Sequence, residues 1–579
     1  MVVYNLTENF IKSSGQFEDK VAVKGKTPDG WISFTYGELY ERIKGLAFHL
    51  SVLGIKKSDR AAIILENSPE WPMIFFALSY IGAIAVPIDP QLNDKDVGNI
   101  ISDSGARLIF ISRENQELRK AMEDKAAIIF IEEIETLRPA RNFQKADIGP
   151  DDVMLILYTS GTTDVPKGVM LTHKNLCANF YSLDRYRLFS CRDTVLSVLP
   201  LYHSYSLMTT LIMPLLSGAI VAYTLPDWSE KLTEYIKESR TTIFIGVPKI
   251  YQMMHAKMVK KLGSLSFPAG LFVKFATSLG LARILLPGLR NAFGRDLRFF
   301  ASGGAKLDKA ITRDFLRMGL TILEGYGLTE TSPVVSFNPL KRPKPGSVGR
   351  PVPDVKIKII NKDTDGIGEI TIMGPNVMKG YYKDEAKTNM VIKDGWFLSG
   401  DLGYIDRDGY LYITGRSKEI IVLSSGKNIY PNEIEKHYSA TPYVKEMCML
   451  GVQKDIDGIR LEYLHAIVVP DLEFFKDRGE MELRRVIKNV FSALSKDLPS
   501  YKHIMGFTVT QESLPRTVLG KIKRYEVEKR FIQGILKGQS EKRDELPQDK
   551  ILSESENAKK LIECIKDALG IESQVRLSD

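Results

Sequence analysis

Residues 158–168 read YTSGTTDVPKG and follow directly on the apolar run VMLIL at 153–157. The stretch holds glycines at 161 and 168, the hydroxyls of Thr159, Ser160, Thr162 and Thr163, and one lysine, Lys167. A buried strand that delivers the chain into such residues suits phosphate binding. Glycine lets the backbone come close to an anion, successive N–H groups form a concave nest, hydroxyls add donors and a lysine adds charge. The spacing is not that of a G-x-x-x-x-G-K-[ST] loop. Taken alone, the composition also describes a plain Gly/Thr-rich turn.

Outward from this point, β-rich apolar runs alternate with helix-length segments. RAAIIL (60–65), ARLIFI (106–111), TVLSVLP (194–200), AIVAYTL (219–225) and TTIFIGVP (241–248) are the clearest. Strands separated by helical patterns predict an α/β architecture with mostly parallel sheets. Past Gly368, short strands and tight turns dominate, and Asp394-Gly395 and Asp408-Gly409 are hairpin signals. A compact α+β unit is expected from Ser417 to about Arg530. Gly538 to Lys550, GQSEKRDELPQDK, reads as a polar linker. Leu561, Ile562, Ile565, Ala568 and Leu569 then share one face of an amphipathic helix.

A chain of 579 residues is too long for one core, so at least two domains are expected. Four widely spaced cysteines, Cys177, Cys191, Cys448 and Cys564, predict no disulfide framework or structural zinc, and fit a reducing cytoplasm. The start, MVVYNLTENF, predicts no secretory signal. PMIFFALSYIGAIAVPIDP (72–90) has the look of a membrane span, but Gly82 and Pro87 divide it into a short helix and a strand. The net charge of +8 is modest and interleaved, which argues against nucleic-acid binding. From Lys257 to Arg290, six basic residues lie among apolar ones, which fits either a peripheral membrane contact or a surface helix pair.

YTSGTTDVPKG resembles the phosphate loop of the acyl-adenylate-forming superfamily, which includes acyl-CoA synthetases, peptide-synthetase adenylation domains and luciferases. Further motifs follow in the family's order: LPLYHS (199–204), EGYGLTET (324–331), SGDLG (399–403), GRSKEIIVLSSGKNIYPNEIE (415–435) and LPRTVLGKIKR (514–524). The likeness runs from about residue 5 to residue 530. Asp164 departs from it, standing where the family usually has glycine. The resemblance implies a large N-terminal domain of αβ-layered sheets plus a β-rich subdomain (1–415). A hinge at 416–418 and a small mobile α+β C-terminal domain at 419–535 follow. A linker at 536–552 and a helical tail at 553–579 would close the chain.

The resemblance also implies ATP, Mg2+ and a thiol acceptor. A carboxylate attacks the α-phosphate of ATP to give acyl-AMP and pyrophosphate; a thiol then takes the acyl group and AMP leaves. Thr159, Ser160, Gly161, Thr162, Thr163 and Lys167 would hold the β- and γ-phosphates, Thr329 would touch the α-phosphate and Glu330 would hold magnesium. Gly303, Gly304, Glu324, Tyr326 and Gly327 would line the nucleotide, with Tyr326 stacked on adenine; outside its motif Tyr326 reads as a packed core residue. Asp401 and Arg416 would take the ribose, although Asp401 by spacing alone is equally a turn residue. Lys521 would bridge the attacking carboxylate and the nucleotide. Lys418 would be the hinge, Gly426 a wall of the thiol channel and His203 an aromatic gate, or else a satisfied buried histidine.

In the family's peptide synthetases an aspartate just beyond the LYHS region binds the substrate ammonium. Here HSYSLMTTLIM (203–213) has no acid, which points to an apolar substrate, and the surrounding text looks most like long-chain fatty acyl ligases, with medium-chain and aryl acids left open. Coenzyme A is the family's usual acceptor; some relatives load an acyl carrier protein, and the tail resembles either the start of such a carrier domain or a docking helix. An inactive scaffold that kept the fold is the competing class.

Overall fold

The computed structural model describes residues 3–122, 124–136, 143–159, 166–263, 293–422, 428–456, 459–475, 479–516 and 522–534. The chain divides into two compact units, residues 1–399 with 404–413, and residues 400–403 with 414–579.

The first unit is built on two large sheets. One has nine strands in the order Arg350–Pro351, Val334–Phe337, Ile322–Gly327, Phe299–Ser302, Ile243–Gly246, Thr194–Ser197, Ile220–Tyr223, Val21–Thr27 and Gly30–Thr35. Its six central members, from Ile322–Gly327 to Val21–Thr27, are parallel neighbours, and antiparallel strands finish both edges. The other has seven strands: Gly380–Tyr381, Lys167–Thr172, Val153–Thr159, Ile84–Pro87, Arg60–Ile63, Leu108–Ile111 and Ala127–Phe130. Strands such as Ile84–Pro87, Leu108–Ile111 and Thr194–Ser197 are buried at every position, as continuous apolar runs in a parallel sheet require.

The pleat sorts side chains to two sides. Ala61 and Ile63 enter a core shared with Val23, Val221 and Tyr223 of the nine-stranded sheet, whereas Ala62 and Ile64 pack with Val97, Ile100 and Ile101 of the helix Asp94–Ser104. The apolar run at 72–90 is a helix, Glu70–Tyr80, a turn at Gly82 with φ +71°, and the strand Ile84–Pro87. Trp71 to Tyr80 are all buried, and Phe76 stacks on Phe10 with ring centres 4.2 Å apart. A helix apolar on every face belongs in the middle of a large core. Among the described residues no helix is long and apolar enough to cross a membrane.

Smaller strands complete this unit. Lys356–Ile360 pairs with Gly368–Met373, and Ile392–Lys393 turns back into Trp396 through Asp394 (φ +50°) and Gly395 (φ +77°). The left-handed pair is the hairpin geometry that Asp-Gly favours. The boundary between the units runs through the strands Trp396–Ile405 and Leu411–Arg416.

The second unit is α+β. Val444–Ile456 and Ile459–Pro470 form a long antiparallel pair, and Gly506–Val509 joins the latter in parallel. Met447, Met449, Leu464, Ala466 and Val468 pack on Ile434, Tyr438, Ile487 and Phe491, from the helices Pro431–Tyr438 and Glu480–Ser495. Cys448, Leu450, Ile467 and Val469 face Leu514 and Val527 on the other side.

One carboxylate ties together the amino ends of three neighbouring parallel strands. Asp193 is 1% exposed; it accepts from Arg298 Nη1 at 2.6 and 2.7 Å, Thr242 Oγ1 at 2.7 Å and Ser190 N and Oγ at 2.9 and 2.8 Å. These residues precede Thr194–Ser197, Ile243–Gly246 and Phe299–Ser302. Removing the acid takes the ionic partner from the guanidinium and the shortest hydrogen bond from two hydroxyls. Asp193→Ala should therefore lower the unfolding free energy of this unit by roughly 3 kcal/mol, the low end for a broken buried pair because Arg298 is partly exposed. Urea unfolding followed by tryptophan fluorescence reads the loss directly; an unchanged midpoint contradicts the clamp.

Candidate active site

At the carboxyl ends of the same parallel strands the sequence motifs come together. Thr194–Ser197 leads to LPLYHS, Phe299–Ser302 to Gly303-Gly304, and Ile322–Gly327 to the turn Thr329–Thr331. Open α/β sheets bind ligands in the crevice beyond such ends. Gly303 N donates to Gly246 O at 3.4 Å, and the hydroxyl of Tyr205 donates to the same oxygen at 3.4 Å. A Cβ at Gly303 would lie 2.8 Å from the Tyr205 ring, so a larger residue there would have to displace that ring. Gly304 turns with φ +79°. The Ser302 hydroxyl is enclosed and has no hydrogen-bond partner among the described residues.

His203 caps the short helix Ser204–Ser206, beyond which Leu207–Ile212 forms a fully buried π-helical stretch. Wide turns of this kind are rare and often sit at functional sites. Its imidazole Nε2 is enclosed without a partner among the described residues, and burial lowers its pKa against the opposing pull of Asp89. The loop before it is clamped by Asn67, whose amide donates to Leu199 O at 2.7 Å and accepts from Leu201 N at 3.0 Å.

Tyr326 is half-buried against the main core. Gly327 is required by space, since a Cβ there would lie 1.8 Å from Pro333 O. Thr331 locks the following turn, accepting from Leu328 N at 3.1 Å and donating to Pro333 O at 2.7 Å. Thr329 Oγ1 lies 3.2 Å from Ser204 Oγ, joining EGYGLTET to LPLYHS. Glu330 Oε1 accepts from the Tyr381 hydroxyl at 2.9 Å. Lys167 Nζ stands 5.4 Å from the centre of the Tyr381 ring. Thr159 and Lys167 face each other across an antiparallel pair, so the strands on either side of 160–165 are partners. Ser160, Gly161, Thr162, Thr163 and Asp164 lie outside the described residues.

The Glu324 carboxylate points into the unit, accepting from Thr312 Oγ1 and Gly346 N, each at 3.1 Å, and burial pushes its pKa up to about 7. Among the described residues no cluster of three metal-binding side chains exists. A single glutamate such as Glu330 suits a hard cation that completes its shell with phosphate oxygens and water, as Mg2+ does, rather than a closed protein cage.

In the second unit Asp401 is buried and pairs with Arg416, Oδ1 to Nε 2.9 Å. Lys418 lies in the single turn Ser417–Glu419. Gly426 and Lys521 fall outside the described residues, as do residues 264–292, with most of the basic apolar stretch, and the tail from 535. The residues flanking Lys521 are pinned: Arg516 pairs with Glu446 at 3.2 Å and bridges to Ile522, and Arg524 with Glu435 at 2.5 Å.

Residues 10–382 match the family model described as AMP-binding enzyme, and residues 418–540 match that of the AMP-binding enzyme C-terminal domain. The chain is 30% identical to the feruloyl-CoA synthase of Amycolatopsis sp over 87% of its own length and 95% of that protein. It is 29% identical to a long-chain-fatty-acid–CoA ligase, FadD13, of Mycobacterium tuberculosis, over 86% and 92% of the two chains. Its fold matches ATP-bound MatB from Rhodopseudomonas palustris with a TM-score of 0.75 and 27% identity, covering 92% of this chain and 100% of that one.

Glu324 makes stability depend on pH. Its folded pKa of about 7 lies above the ordinary 4.5, so stability falls as pH rises through that window. Glu324→Gln keeps an oxygen for Thr312 and Gly346 but carries no charge. It should match the parent protein in acid and exceed it above the window by roughly 3 kcal/mol at most. Denaturation midpoints across pH test this; parallel curves for the two proteins contradict it.

Proposed function

Since the chain belongs to the AMP-binding enzyme family, we propose that it activates a long-chain fatty acid with ATP and passes the acyl group to coenzyme A. In the first half-reaction a carboxylate oxygen attacks the α-phosphorus; that bond forms as the bond to the bridging oxygen breaks, and pyrophosphate leaves. In the second the thiol sulfur, giving up its proton, attacks the acyl carbon. The bond to the phosphate oxygen breaks and AMP leaves.

The observation that carries this reading is the convergence of Lys167, Glu330 and Thr329 through Tyr381 and Ser204 beside the strand ends. Charge moves among phosphate oxygens in the first step, so preset donors and cations stabilise its transition state. The hairpin hydroxyls Thr159, Ser160, Thr162 and Thr163, the Gly161 backbone and Lys167 would hold the β- and γ-phosphates. Thr329 would face the α-phosphate. Glu330 would hold Mg2+, which when bound neutralises phosphate charge. The Gly303-Gly304 turn, the Glu324 backbone, Tyr326 and Gly327 would accept the adenine, and Asp401 with Arg416 the ribose. Lys521 would bring the two anions together, and a swing about Lys418 would exchange it for a thiol channel lined by Gly426. An enclosed, neutral His203 suits an apolar gate better than a charged contact.

The absence of any acid in 203–213, together with the burial of Leu207–Ile212, supports an apolar substrate. A second reading, an aryl acid, is favoured by the enclosed Tyr205 ring against Gly303 and by the likeness to a feruloyl-CoA synthase.

The test supplies ATP, Mg2+ and acids from hexanoate to stearate together with ferulate, with either coenzyme A or a phosphopantetheinylated carrier protein as acceptor. Mass spectrometry should find palmitoyl- or stearoyl-CoA and AMP; a feruloyl product selects the aryl reading, and acylated carrier alone makes the chain a carrier-loading enzyme. No adenylate from any acid contradicts the proposal. Lys521→Ala should lower adenylate formation roughly 100- to 1,000-fold without changing the thermal midpoint.

A further inference from the structure

The two groups expected to handle the triphosphate come from different sheets. Lys167 begins a strand of the seven-stranded sheet, and Glu330 follows a strand of the nine-stranded sheet. A lysine and a glutamate facing one site attract each other, and a direct pair would cancel the charges needed for phosphate and metal. They form no such pair among the described residues: the Tyr381 phenol engages both, its hydroxyl on Glu330 Oε1 and its ring facing Lys167 Nζ.

Tyr381 is held firmly enough to serve as a spacer. It is 7% exposed and its ring belongs to the main core. Gly380–Tyr381 pairs with the hairpin strand, Tyr381 opposite Val169. Tyr381 N donates to Thr388 Oγ1 at 2.9 Å and Tyr382 N to Gly168 O at 2.7 Å. On the other side Met378 N donates to Glu330 O at 2.8 Å, Asn376 Nδ2 to Thr331 O at 2.8 Å, and Ser332 Oγ to Asn376 O at 2.8 Å. A phenol has one proton to give, and giving it to Oε1 leaves Oε2 with both of its lone-pair directions for a cation.

We propose that Tyr381 is a positioning residue that sets the Glu330 carboxylate for magnesium and holds Lys167 apart from it. This rests on the reading of function given above. Partners that orient a metal-binding carboxylate typically change metal affinity 10- to 100-fold when lost. The hydroxyl and the ring have separable tasks: Tyr381→Phe keeps the ring under Lys167 and frees the carboxylate, while Tyr381→Leu removes both.

The experiment is calorimetric titration with α,β-methylene-ATP, which resists cleavage between its α- and β-phosphates, with and without Mg2+. In the Tyr381→Phe protein the half-saturating Mg2+ concentration should rise about 10-fold, while metal-free nucleotide affinity stays within about twofold of the parent. Tyr381→Leu should weaken metal-free binding as well. In a Glu330→Gln background, Tyr381→Phe should add less than about twofold, because the carboxylate it orients is gone. A Tyr381→Phe protein that takes Mg2+ like the parent, or losses that multiply in the double variant, overturns the role of the tyrosine alone. A parent protein that binds no nucleotide with or without Mg2+ overturns the functional reading, and this role with it.

Discussion

The hydrogen bonds that stitch residues 375–382 between two sheets are the constraint on which the site depends. Asn175 Nδ2 holds Pro375 O and Val377 O at 2.9 and 2.7 Å from the helix that follows the strand Lys167–Thr172. Asn376, Met378 and Tyr381 reach the Thr329–Ser332 turn. Lys167 comes from the seven-stranded sheet and Glu330 from the turn after a strand of the nine-stranded sheet. Buried polar groups left without partners are costly, so this stitched segment has one way to satisfy its amides and carbonyls. Backbone register therefore fixes where the Tyr381 side chain meets Lys167 and Glu330.

The nine-stranded sheet supplies the second half of the arrangement. Its parallel strands bring Gly246, Gly303 and Gly327 to one end, where a Cβ would press on Tyr251, the Tyr205 ring and Pro333 O respectively. At the opposite end Asp193 gathers Thr242, Arg298 and Ser190. A clamp at the amino ends and close glycine contacts at the carboxyl ends keep adjacent strands in register. Short loops from neighbouring strands can then share a crevice.

Much of this was legible in the residue pattern. RAAIIL, ARLIFI and TVLSVLP are strands because parallel sheets bury both faces, and the run at 72–90 splits at Gly82 as its left-handed turn requires. The Asp394-Gly395 hairpin follows from the same local chemistry. What pattern could not carry is non-local. Tyr381 sits in MKGYYKD, where two tyrosines look alike; only the pairing opposite Val169 sends one of them to Glu330. The inward turn of the Glu324 carboxylate depends on Thr312 and Gly346, which local spacing does not bring near it. The strand returning from YTSGTTDVPKG needs its partner Val153–Thr159 to be seen as a hairpin.

If these strand ends serve a carboxylate attacking the α-phosphate of ATP, labelled pyrophosphate should exchange into ATP with palmitate, Mg2+ and no thiol acceptor present. Reversible adenylate formation predicts label in ATP that requires the acid and the metal but not coenzyme A. Exchange that ignores the acid, or label that never enters ATP with any carboxylic acid while nucleotide is consumed to ADP, would contradict it.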